Sequence, residues 1–325
     1  MRYLDVDGRQ VSVVGLGCWQ FGEKGWGYGR DFGDQESLAI VRRALELGVT
    51  LLDTAELYGR GASERLVGQA LAGVGSDRFL ATKFLPVAPF PGVLMDHLRR
   101  SLDRLGVENV DLYQLHWPNP VVPLGLQVGG LRRALGEGLT RYVGVSNYSL
   151  SRWRRAERLL GIPIISNQVR YNLLHTQAER KLIPHAERTG RIVIAYSPLA
   201  QGALSGRYRP GQGPGGLRRM SPLFTAEGLT AAAPVVETLR EIAAGRQATP
   251  SQVALAYLIS SPRVVVIPGA KSIAQLEANV AAADIQLGAD ELLALRRAAD
   301  LFQLSWIRAG GQLLGSARPG GGTKA

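Results

Sequence analysis

Short hydrophobic runs alternate with amphipathic stretches along most of the chain. The runs are rich in Val, Ile and Leu, and eight of them have the length of a strand. They cover residues 11–17, 49–53, 79–83, 110–116, 142–146, 164–169, 192–196 and 264–268. Near-continuous hydrophobic runs are typical of parallel strands that are buried on both faces. The pattern therefore predicts eight parallel strands.

Helix-like segments separate these runs. Apolar residues recur at helical spacing over 37–47, 92–105, 149–160, 177–188, 250–259 and 273–283, among other stretches. Four of these segments are followed by a glycine where a left-handed cap is favoured, namely Gly48, Gly106, Gly161 and Gly190. Eight strand-then-helix units favour a closed (β/α)8 TIM barrel, an α/β fold, over an open doubly wound sheet. No GxGxxG motif follows a strand, which is weak evidence against a Rossmann domain.

The strand and helix rhythm predicts one barrel domain over residues 1–316, with a short N-terminal extension and long loops at the carboxyl ends of the strands. Residues 206–216 are dense in Gly, Pro and Arg, and with 217–225 they form a long connection after the seventh strand. This connection is either a mobile functional loop or disordered. Residues 317–325, which contain Pro-Gly-Gly-Gly, are predicted to be a flexible tail.

The charge balance is basic, but it does not indicate a nucleic-acid protein. The 325 residues include 38 Lys and Arg and 27 Asp and Glu, which gives a formal charge of +11. Hydrophobic residues make up 46% of the chain. That composition is typical of a globular protein. The densest basic cluster, Arg152, Arg154, Arg155 and Arg158, lies on one short helical stretch and is predicted to be a solvated helix face. We therefore expect no nucleic-acid partner.

The cysteine content and the lack of long apolar segments indicate in which cell compartment the protein is expected. Cys18 is the one cysteine, so a disulfide within the chain is excluded and a metal site is not expected. Neither a signal-peptide-like stretch at the N-terminus nor a run of 18 apolar residues is present. A cytoplasmic protein with no membrane partner is therefore expected. Monomer and weak homo-oligomer both stay open.

Polar residues end the successive hydrophobic runs. Asp53, Lys83, His116, Ser146 with Asn147, Gln168 and Tyr196 stand at these positions. Each alone has a structural explanation, such as a helix cap or a satisfied polar group. Barrel enzymes build their active sites at the carboxyl ends of the strands, however. The joint occurrence of these residues therefore indicates a functional site.

Tyr58 follows Asp53 by five residues, so its phenol can lie over the same end of the barrel. A phenol with its ordinary pKa near 10 needs help from its surroundings to exchange a proton at neutral pH. An ammonium such as Lys83 would lower that pKa, and Asp53 would keep Lys83 charged. Lys83 is one of only five lysines against 33 arginines, which favours a specific role. His116 would orient a carbonyl or assist proton transfer.

These residues stand within a set of ordered motifs that resembles the aldo-keto reductase family. The resemblance runs from about residue 15 to 283 and rests on GLGCW (15–19), LLDTAELYG (51–59), ATK (81–83), DLYQLHWP (111–118), GVSN (144–147), SNQVRYN (166–172), AYSPLAQG (195–202) and IPGAKS (267–272). It implies hydride transfer from a reduced nicotinamide to a carbonyl carbon. In that reaction Tyr58 would be the general acid, with Asp53, Lys83 and His116 completing a catalytic tetrad.

The resemblance also implies NADP(H) as the cofactor. Ser146, Asn147 and Gln168 would bind the carboxamide, and Tyr196 would stack on the nicotinamide. The full set of implied cofactor residues is Gly17, Cys18, Trp19, Asp53, Ser146, Asn147, Gln168, Tyr196, Ser197, Pro198, Leu199, Gln201, Gly202, Gly269, Lys271, Gln275 and Asn279. Lys271 would contact a 2′-phosphate, and no acidic residue lies among 269–272 to prefer a free 2′-hydroxyl. Gln275 and Ala278 stand where many members carry Arg and Glu.

A small carbonyl compound is the expected substrate. Trp19, Trp26, Tyr28 and Trp117 fall in loops at the predicted barrel mouth and, with Tyr58 and His116, would form an aromatic and apolar pocket. For Trp26 and Tyr28, local packing is an equal alternative. A regulatory or sensor subunit that binds the nucleotide, as the similar potassium-channel β subunits do, is the alternative function. The complete tetrad favours the enzyme.

Overall fold

An eight-stranded parallel sheet forms the centre of the molecule, and an antiparallel hairpin precedes it. The structure, a computed structural model, describes residues 1–74 and 77–304. Residues 317–325, predicted to be a flexible tail, lie outside this part, as does the end of the predicted domain. The strands are β1 (Tyr3–Val6), β2 (Arg9–Ser12), β3 (Leu16–Gly17), β4 (Leu51–Asp53), β5 (Phe79–Phe84), β6 (Val110–Leu115), β7 (Thr140–Ser146), β8 (Ser166–Arg170), β9 (Ile192–Tyr196) and β10 (Val264–Val266).

The sheet runs from β3 to β10 in chain order, and hydrogen bonds join its two edges. The Gly15 N–H donates to the Val266 carbonyl at 2.8 Å, and the Val266 N–H donates to the Val13 carbonyl at 2.9 Å. The Gly17 N–H donates to the Pro268 carbonyl at 3.1 Å. These bonds close the sheet into a (β/α)8 barrel, as the hydrophobic pattern predicted.

Helices surround the barrel. They are α1 (Asp34–Glu46), α2 (Ala62–Leu71), α3 (Pro91–Leu105), α4 (Leu124–Gly136), α5 (Leu150–Leu160), α6 (Ala178–Thr189), α7 (Ala226–Gly245), α8 (Pro250–Ile259), α9 (Ile273–Ala281) and α10 (Ala289–Leu301). The predicted left-handed caps are confirmed at Gly106, Gly161 and Gly190, and Gly48 is also left-handed just after α1. Within the described residues, every helix is too short or too polar to cross a membrane.

The prediction of one strand over 11–17 was wrong. Residues up to Ser12 pair with β1 in an antiparallel hairpin, and the barrel strand begins only at Leu16. Asp7 and Gly8 form the turn with φ of 53° and 82°, which is the backbone that a two-residue Asp-Gly hairpin requires. Val6 and Val11 of the hairpin pack in the buried cluster that fills the amino-terminal end of the barrel. The hairpin is the short N-terminal extension and closes that end.

The long connection after β9 folds into short 3-10 turns, of which Gly216–Met220 and Pro222–Phe224 lie in the segment 206–225. Leu223 and Phe224 are buried in the main core. Tyr208 packs edge-on against Phe224, with 5.4 Å between the ring centroids. The segment is therefore packed against the core and not disordered, and part of it lines the cavity described below.

Candidate active site

A large cavity, with a volume of about 870 Å3, opens at the carboxyl ends of the barrel strands. It brings together most of the residues predicted for the site: Gly17, Trp19, Trp26, Asp53, Tyr58, His116, Trp117, Ser146, Asn147, Gln168, Tyr196, Ser197, Pro198, Leu199, Gln201, Gly202, Gly269, Lys271, Gln275 and Asn279. Three predicted residues that the structure also describes, Cys18, Tyr28 and Lys83, lie outside the lining. Residues far apart in sequence therefore meet at one end of the barrel.

Lys83 links Asp53 and Tyr58 behind the cavity wall. Its side chain is fully buried on β5, and its Nζ donates to Asp53 Oδ1 at 2.6 Å and to the Tyr58 hydroxyl at 3.1 Å. A third hydrogen bond, to the Thr54 carbonyl at 2.8 Å, completes the coordination of the ammonium. Because all three donor positions of the ammonium are used, Lys83 is fixed against the phenol oxygen.

Tyr58 reaches the cavity from a tight turn after β4. It begins the 3-10 turn Tyr58–Gly61, in which Gly59, Arg60 and Gly61 all have positive φ. The turn reverses the chain within a few residues, so the phenol lies beside the end of the strand that carries Asp53. The sequence motif around Asp53 and Tyr58 thus serves a backbone geometry as well as a chemical one.

Burial dominates the electrostatics of this group. Burial raises the pKa of Tyr58 and the Asp53 carboxylate adds to the rise, whereas the Lys83 ammonium opposes it. Lys83 acts in the expected direction, but the net shift is opposite to the predicted lowering because desolvation is the larger effect. Burial opposes the charge of Lys83, yet Asp53 and Tyr58 outweigh it and raise the pKa of Lys83. The site therefore holds a charged Lys83 against a protonated Tyr58 at neutral pH.

His116 is neutral in this environment. Burial, with the nearby Lys83 charge as the smaller cause, lowers the pKa of His116 to about 3. The imidazole lies edge-on to the Tyr58 ring, with centroids 5.7 Å apart, and stacks on Trp117 at 6.1 Å. Its Nδ1 is buried without a hydrogen-bond partner among the described residues. A neutral imidazole next to the phenol can hydrogen-bond a ligand oxygen without adding charge.

A hydrogen-bonded chain of side chains continues from Asp53 along the cavity. Gln168 Nε2 donates to Asp53 Oδ2 at 2.8 Å, and Ser146 Oγ donates to the Gln168 carbonyl at 2.8 Å. Asn147 Nδ2 donates to Ser146 Oγ at 3.0 Å, and the Tyr196 hydroxyl donates to Asn147 Oδ1 at 2.9 Å. These polar groups are therefore fixed relative to the buried ion pair.

Lys271 stands at the end of the cavity formed by the segment after β10. Its backbone N–H donates to Gln275 Oε1 at 2.9 Å, and Asn279 Nδ2 donates to the Gly269 carbonyl at 3.4 Å. The pKa of Lys271 is lowered overall. Burial is the main cause and the Arg218 charge adds to it, whereas the Asp31 carboxylate opposes it. This end therefore presents cations suited to an anionic group.

The cavity wall beside Tyr58 is aromatic and open. Trp19 packs on Trp26, with centroids 5.0 Å apart, and lies 6.2 Å from the Tyr58 ring. Trp19 and Trp117 are both about half-exposed at the rim. Tyr28 is outside the cavity because its hydroxyl donates to the Asp34 carboxylate and its ring packs on Phe32.

Cys18 is a buried neighbour of Asp53 and does not line the cavity. Its backbone N–H donates to the Asp53 carbonyl at 2.9 Å, and its thiol donates to the Leu16 carbonyl at 3.7 Å. Burial raises the pKa of the thiol. In the part of the chain that the structure describes, no group of three or more His, Cys, Asp or Glu side chains is arranged to hold a metal ion.

Comparison with known proteins shows the family of this chain. The Aldo/keto reductase family description matches residues 13–300. The chain belongs to the aldo/keto reductase family. The family prediction made from the ordered motifs is therefore confirmed, as is the barrel fold.

Individual relatives of this aldo/keto reductase cover nearly its whole length. It is 53% identical to "Uncharacterized oxidoreductase Rv2298" of Mycobacterium tuberculosis over 304 residues, which is 93% of this chain and 94% of that protein. It is 30% identical to an aldo-keto reductase from Klebsiella pneumoniae solved in complex with NADPH, with a TM-score of 0.73 and coverage of 91% and 94%. The glycerol dehydrogenase of Gluconobacter oxydans is 26% identical, with a TM-score of 0.83 and coverage of 92% and 95%.

The cavity of this aldo/keto reductase also includes residues that the sequence analysis missed. They are Gln20, Asp31, Leu57, Ser205, Arg207, Tyr208, Arg218, Thr249, Ser251, Ile267, Pro268, Ser272 and Ala278. The Arg218 guanidinium lies 5.9 Å from the Trp26 ring and 5.8 Å from the Tyr208 ring, so the connection after β9 reaches across to the first loop. The density of Gly, Pro and Arg in the connection after β9 was the signal in the sequence that pointed to this loop. Asp31 had no comparable signal.

Proposed function

We propose that this aldo/keto reductase reduces carbonyl compounds with NADPH, with Tyr58 as the general acid. The observation that carries the proposal is the Tyr58 hydroxyl, held 3.1 Å from the buried Lys83 ammonium at the wall of the cavity. The complex of the similar Klebsiella pneumoniae reductase with NADPH supports the choice of cofactor.

The residues present fit a dinucleotide. The cavity runs from the tetrad to Lys271, and it offers amide groups at Asn147 and Gln168 and cations at Lys271 and Arg218. Polar side chains near the ion pair suit a carboxamide, and cations at the far end suit phosphates. When bound, the reduced nicotinamide supplies the hydride.

The chain's own residues supply the proton and the electrostatic support. Tyr58 is protonated at neutral pH, so its hydroxyl can donate to the carbonyl oxygen as negative charge develops there. Lys83 then stabilises the phenolate that remains, and Asp53 keeps Lys83 in place. His116, being neutral, hydrogen-bonds the same oxygen and orients the carbonyl. The aromatic rim of Trp19 and Trp117 excludes water from the reacting group.

Replacement of the proton donor tests this proposal. Tyr58→Phe removes the hydroxyl and keeps the ring, so kcat for an aromatic aldehyde should fall by roughly 10²–10⁴-fold. The dissociation constant for NADPH should change by less than about twofold, because the hydroxyl is a proton donor and not a main cofactor contact. Both are measured on the purified protein, by loss of NADPH absorbance and by calorimetry.

Tyr3→Phe is a matched control, because its hydroxyl donates to the Gly48 carbonyl outside the cavity. That variant should keep the wild-type rate. Wild-type turnover by Tyr58→Phe would contradict the general-acid role. Tight NADPH binding without turnover of any aldehyde, ketone or aldose would instead favour the regulatory alternative.

A further inference from the structure

Asp31 faces Lys271 inside the cavity, although the two residues are 240 positions apart in sequence. Asp31 Oδ2 lies 3.4 Å from Lys271 Nζ, and both residues belong to the cavity lining. Their side chains are 41% and 26% exposed, so solvent and ligand can reach the pair. A carboxylate therefore stands beside the cation to which we assign the 2′-phosphate contact.

The loop between β3 and α1 holds Asp31 in this position. The Asp31 N–H donates to the Gly27 carbonyl at 2.7 Å, and Gly27 has φ of 93°. A Cβ at Gly27 would overlap the Asp31 carboxylate, so the turn requires glycine at that position. Gln20 Nε2, in the same loop, donates to the Ala270 carbonyl at 2.9 Å. The loop is thus joined directly to the segment that carries Lys271.

Asp31 is ionised at neutral pH and lies beside two cations. The Arg30 guanidinium donates to Asp31 Oδ1 at 2.8 Å and lowers the pKa of that carboxyl, and Lys271 lowers it further. Arg218 and Arg30 are the other cations whose charges reach Lys271. Lys271 and Arg218 favour a phosphate at this end of the cavity, whereas a carboxylate repels one.

A carboxylate that repels a 2′-phosphate can bind a free 2′-hydroxyl. An acidic side chain at the ribose accepts a hydrogen bond from the 2′-hydroxyl, which is the usual mark of a site for NAD. The segment 269–272 carries no such residue, but Asp31 reaches the same place from the first loop. The site therefore combines a feature that favours a 2′-phosphate with one that opposes it.

We propose that Asp31 is a specificity-determining residue that weakens binding of the 2′-phosphate relative to a free 2′-hydroxyl. The protein then discriminates less between NADPH and NADH than Lys271 and Arg218 alone would dictate. This inference rests on the proposed function, since it needs the adenosine end of the cofactor at Lys271.

Asp31→Asn tests the inference, because it removes the charge and keeps the size. The dissociation constant for NADPH should fall about fivefold, the scale expected when one partly screened like charge is removed near a phosphate. The constant for NADH should stay within twofold or rise. Adenosine 2′,5′-bisphosphate should gain affinity as NADPH does, and 5′-AMP should not. All four ligands are titrated by calorimetry, which needs no turnover.

Salt and a charge-matched control separate a local effect from a general one. The advantage of Asp31→Asn for NADPH should shrink toward onefold between about 20 mM and 500 mM salt, because exposed charges are screened. Asp96→Asn changes the net charge equally on α3, outside the cavity lining, and should leave all affinities unchanged. An equal gain from Asp96→Asn would overturn the inference.

Lys271→Gln shows which assumption fails if the result differs. A loss of about tenfold or more for NADPH, with little change for NADH, supports the 2′-phosphate contact. An equal loss for both cofactors refutes that contact and with it the role of Asp31. If Lys271→Gln is selective but Asp31→Asn leaves the NADPH-to-NADH affinity ratio unchanged or lowers it, the proposed contact stands and the specificity role of Asp31 is wrong. In that case Asp31 positions Lys271.

Discussion

Lys83 is fully buried, and its charge survives because of three short-range partners. Isolated burial would drive the ammonium toward its neutral form. Asp53 and the Tyr58 hydroxyl reverse that preference, so the pKa of Lys83 is raised. The same burial keeps Tyr58 protonated. Tyr58 is therefore protonated and lies beside a charged Lys83, which is the state that the proposed carbonyl reduction needs.

His116 should leave no mark on the pH dependence near its ordinary pKa. A histidine normally titrates near 6.5, but burial lowers the pKa of His116 to about 3. His116 is therefore neutral from about pH 5 upward, and only below its lowered pKa would it be charged. We expect kcat for aldehyde reduction at saturating NADPH to show no inflection between about pH 5 and 8. The measurement is a pH–rate profile over that range.

His116→Gln provides the comparison for this profile, since glutamine keeps a polar group but does not titrate. Its rate should be lower, but the shape of its profile should match that of the wild type. An inflection near pH 6.5 in the wild type that disappears in His116→Gln would show that the imidazole titrates in the working range.

The residues proposed as the tetrad, and most of the cavity residues proposed to bind the cofactor, could be predicted from the sequence, because they end hydrophobic runs or lie in ordered motifs. The sign of the Tyr58 pKa shift could not, since it depends on how much surrounding protein excludes water. Asp31 could not be predicted either. Its partner Lys271 lies 240 positions away, and only the path of the first loop brings them together.

At the level of elements, β3 is the shortest strand of the barrel, and the glycines in it and just before it are closely packed. It has two residues, and it forms one edge of the barrel closure together with residues 13–15 just before it. A Cβ on Gly17 would lie 2.6 Å from the Ile267 carbonyl oxygen, and one on Gly15 would lie 2.8 Å from the Leu51 carbonyl oxygen. Gly17 lets the first and last strands approach, and Gly15 lets the chain before β3 approach β4. The sequence motif GLG at 15–17 therefore reflects barrel closure as well as the cofactor site.

Gly17→Ala should disturb both stability and the site. The added methyl group meets a backbone carbonyl that cannot move without opening the closure, so the free energy of unfolding should fall by about 2 kcal/mol. NADPH affinity should fall as well, because Gly17 lines the cavity. Urea unfolding followed by tryptophan fluorescence and calorimetric titration of NADPH measure the two effects.

Gly92→Ala is the matched control in this comparison. A Cβ at Gly92, within α3, would meet nothing within 4 Å. Alanine there should raise stability slightly, by about 0.5 kcal/mol, through helix propensity. Equal stability of Gly17→Ala and the wild type would mean that the backbone at β3 can shift to accommodate the methyl group without loss of stability.

At the scale of the whole molecule, the barrel has two ends with different tasks. The (β/α)8 fold was predictable because eight buried strands alternate with amphipathic helices, a rhythm that is visible in one sequence. The boundary at the first strand was not, since residues 11–17 are apolar apart from Ser12 and the Asp7-Gly8 turn that makes the hairpin lies before them. The hairpin covers the amino-terminal end, and the cavity occupies the opposite one.

This separation predicts that stability and cofactor binding can be changed independently. Val11 is fully buried among the inward-facing residues at the covered end. Val11→Ala should lower the free energy of unfolding by about 2 kcal/mol, through lost burial and a residual cavity. Val121→Ala, at an exposed position, should change it by less than about 0.5 kcal/mol. Urea unfolding measures both.

NADPH affinity should stay within about twofold in Val11→Ala, because the strands between the two ends are packed and hydrogen-bonded along their length. Calorimetric titration at a temperature where the variant is fully folded decides the point. A parallel loss of affinity and stability would show that the hairpin supports the geometry of the cavity through the barrel. The two ends of the molecule would then act as one cooperative unit, and the covered end would be part of the binding machinery.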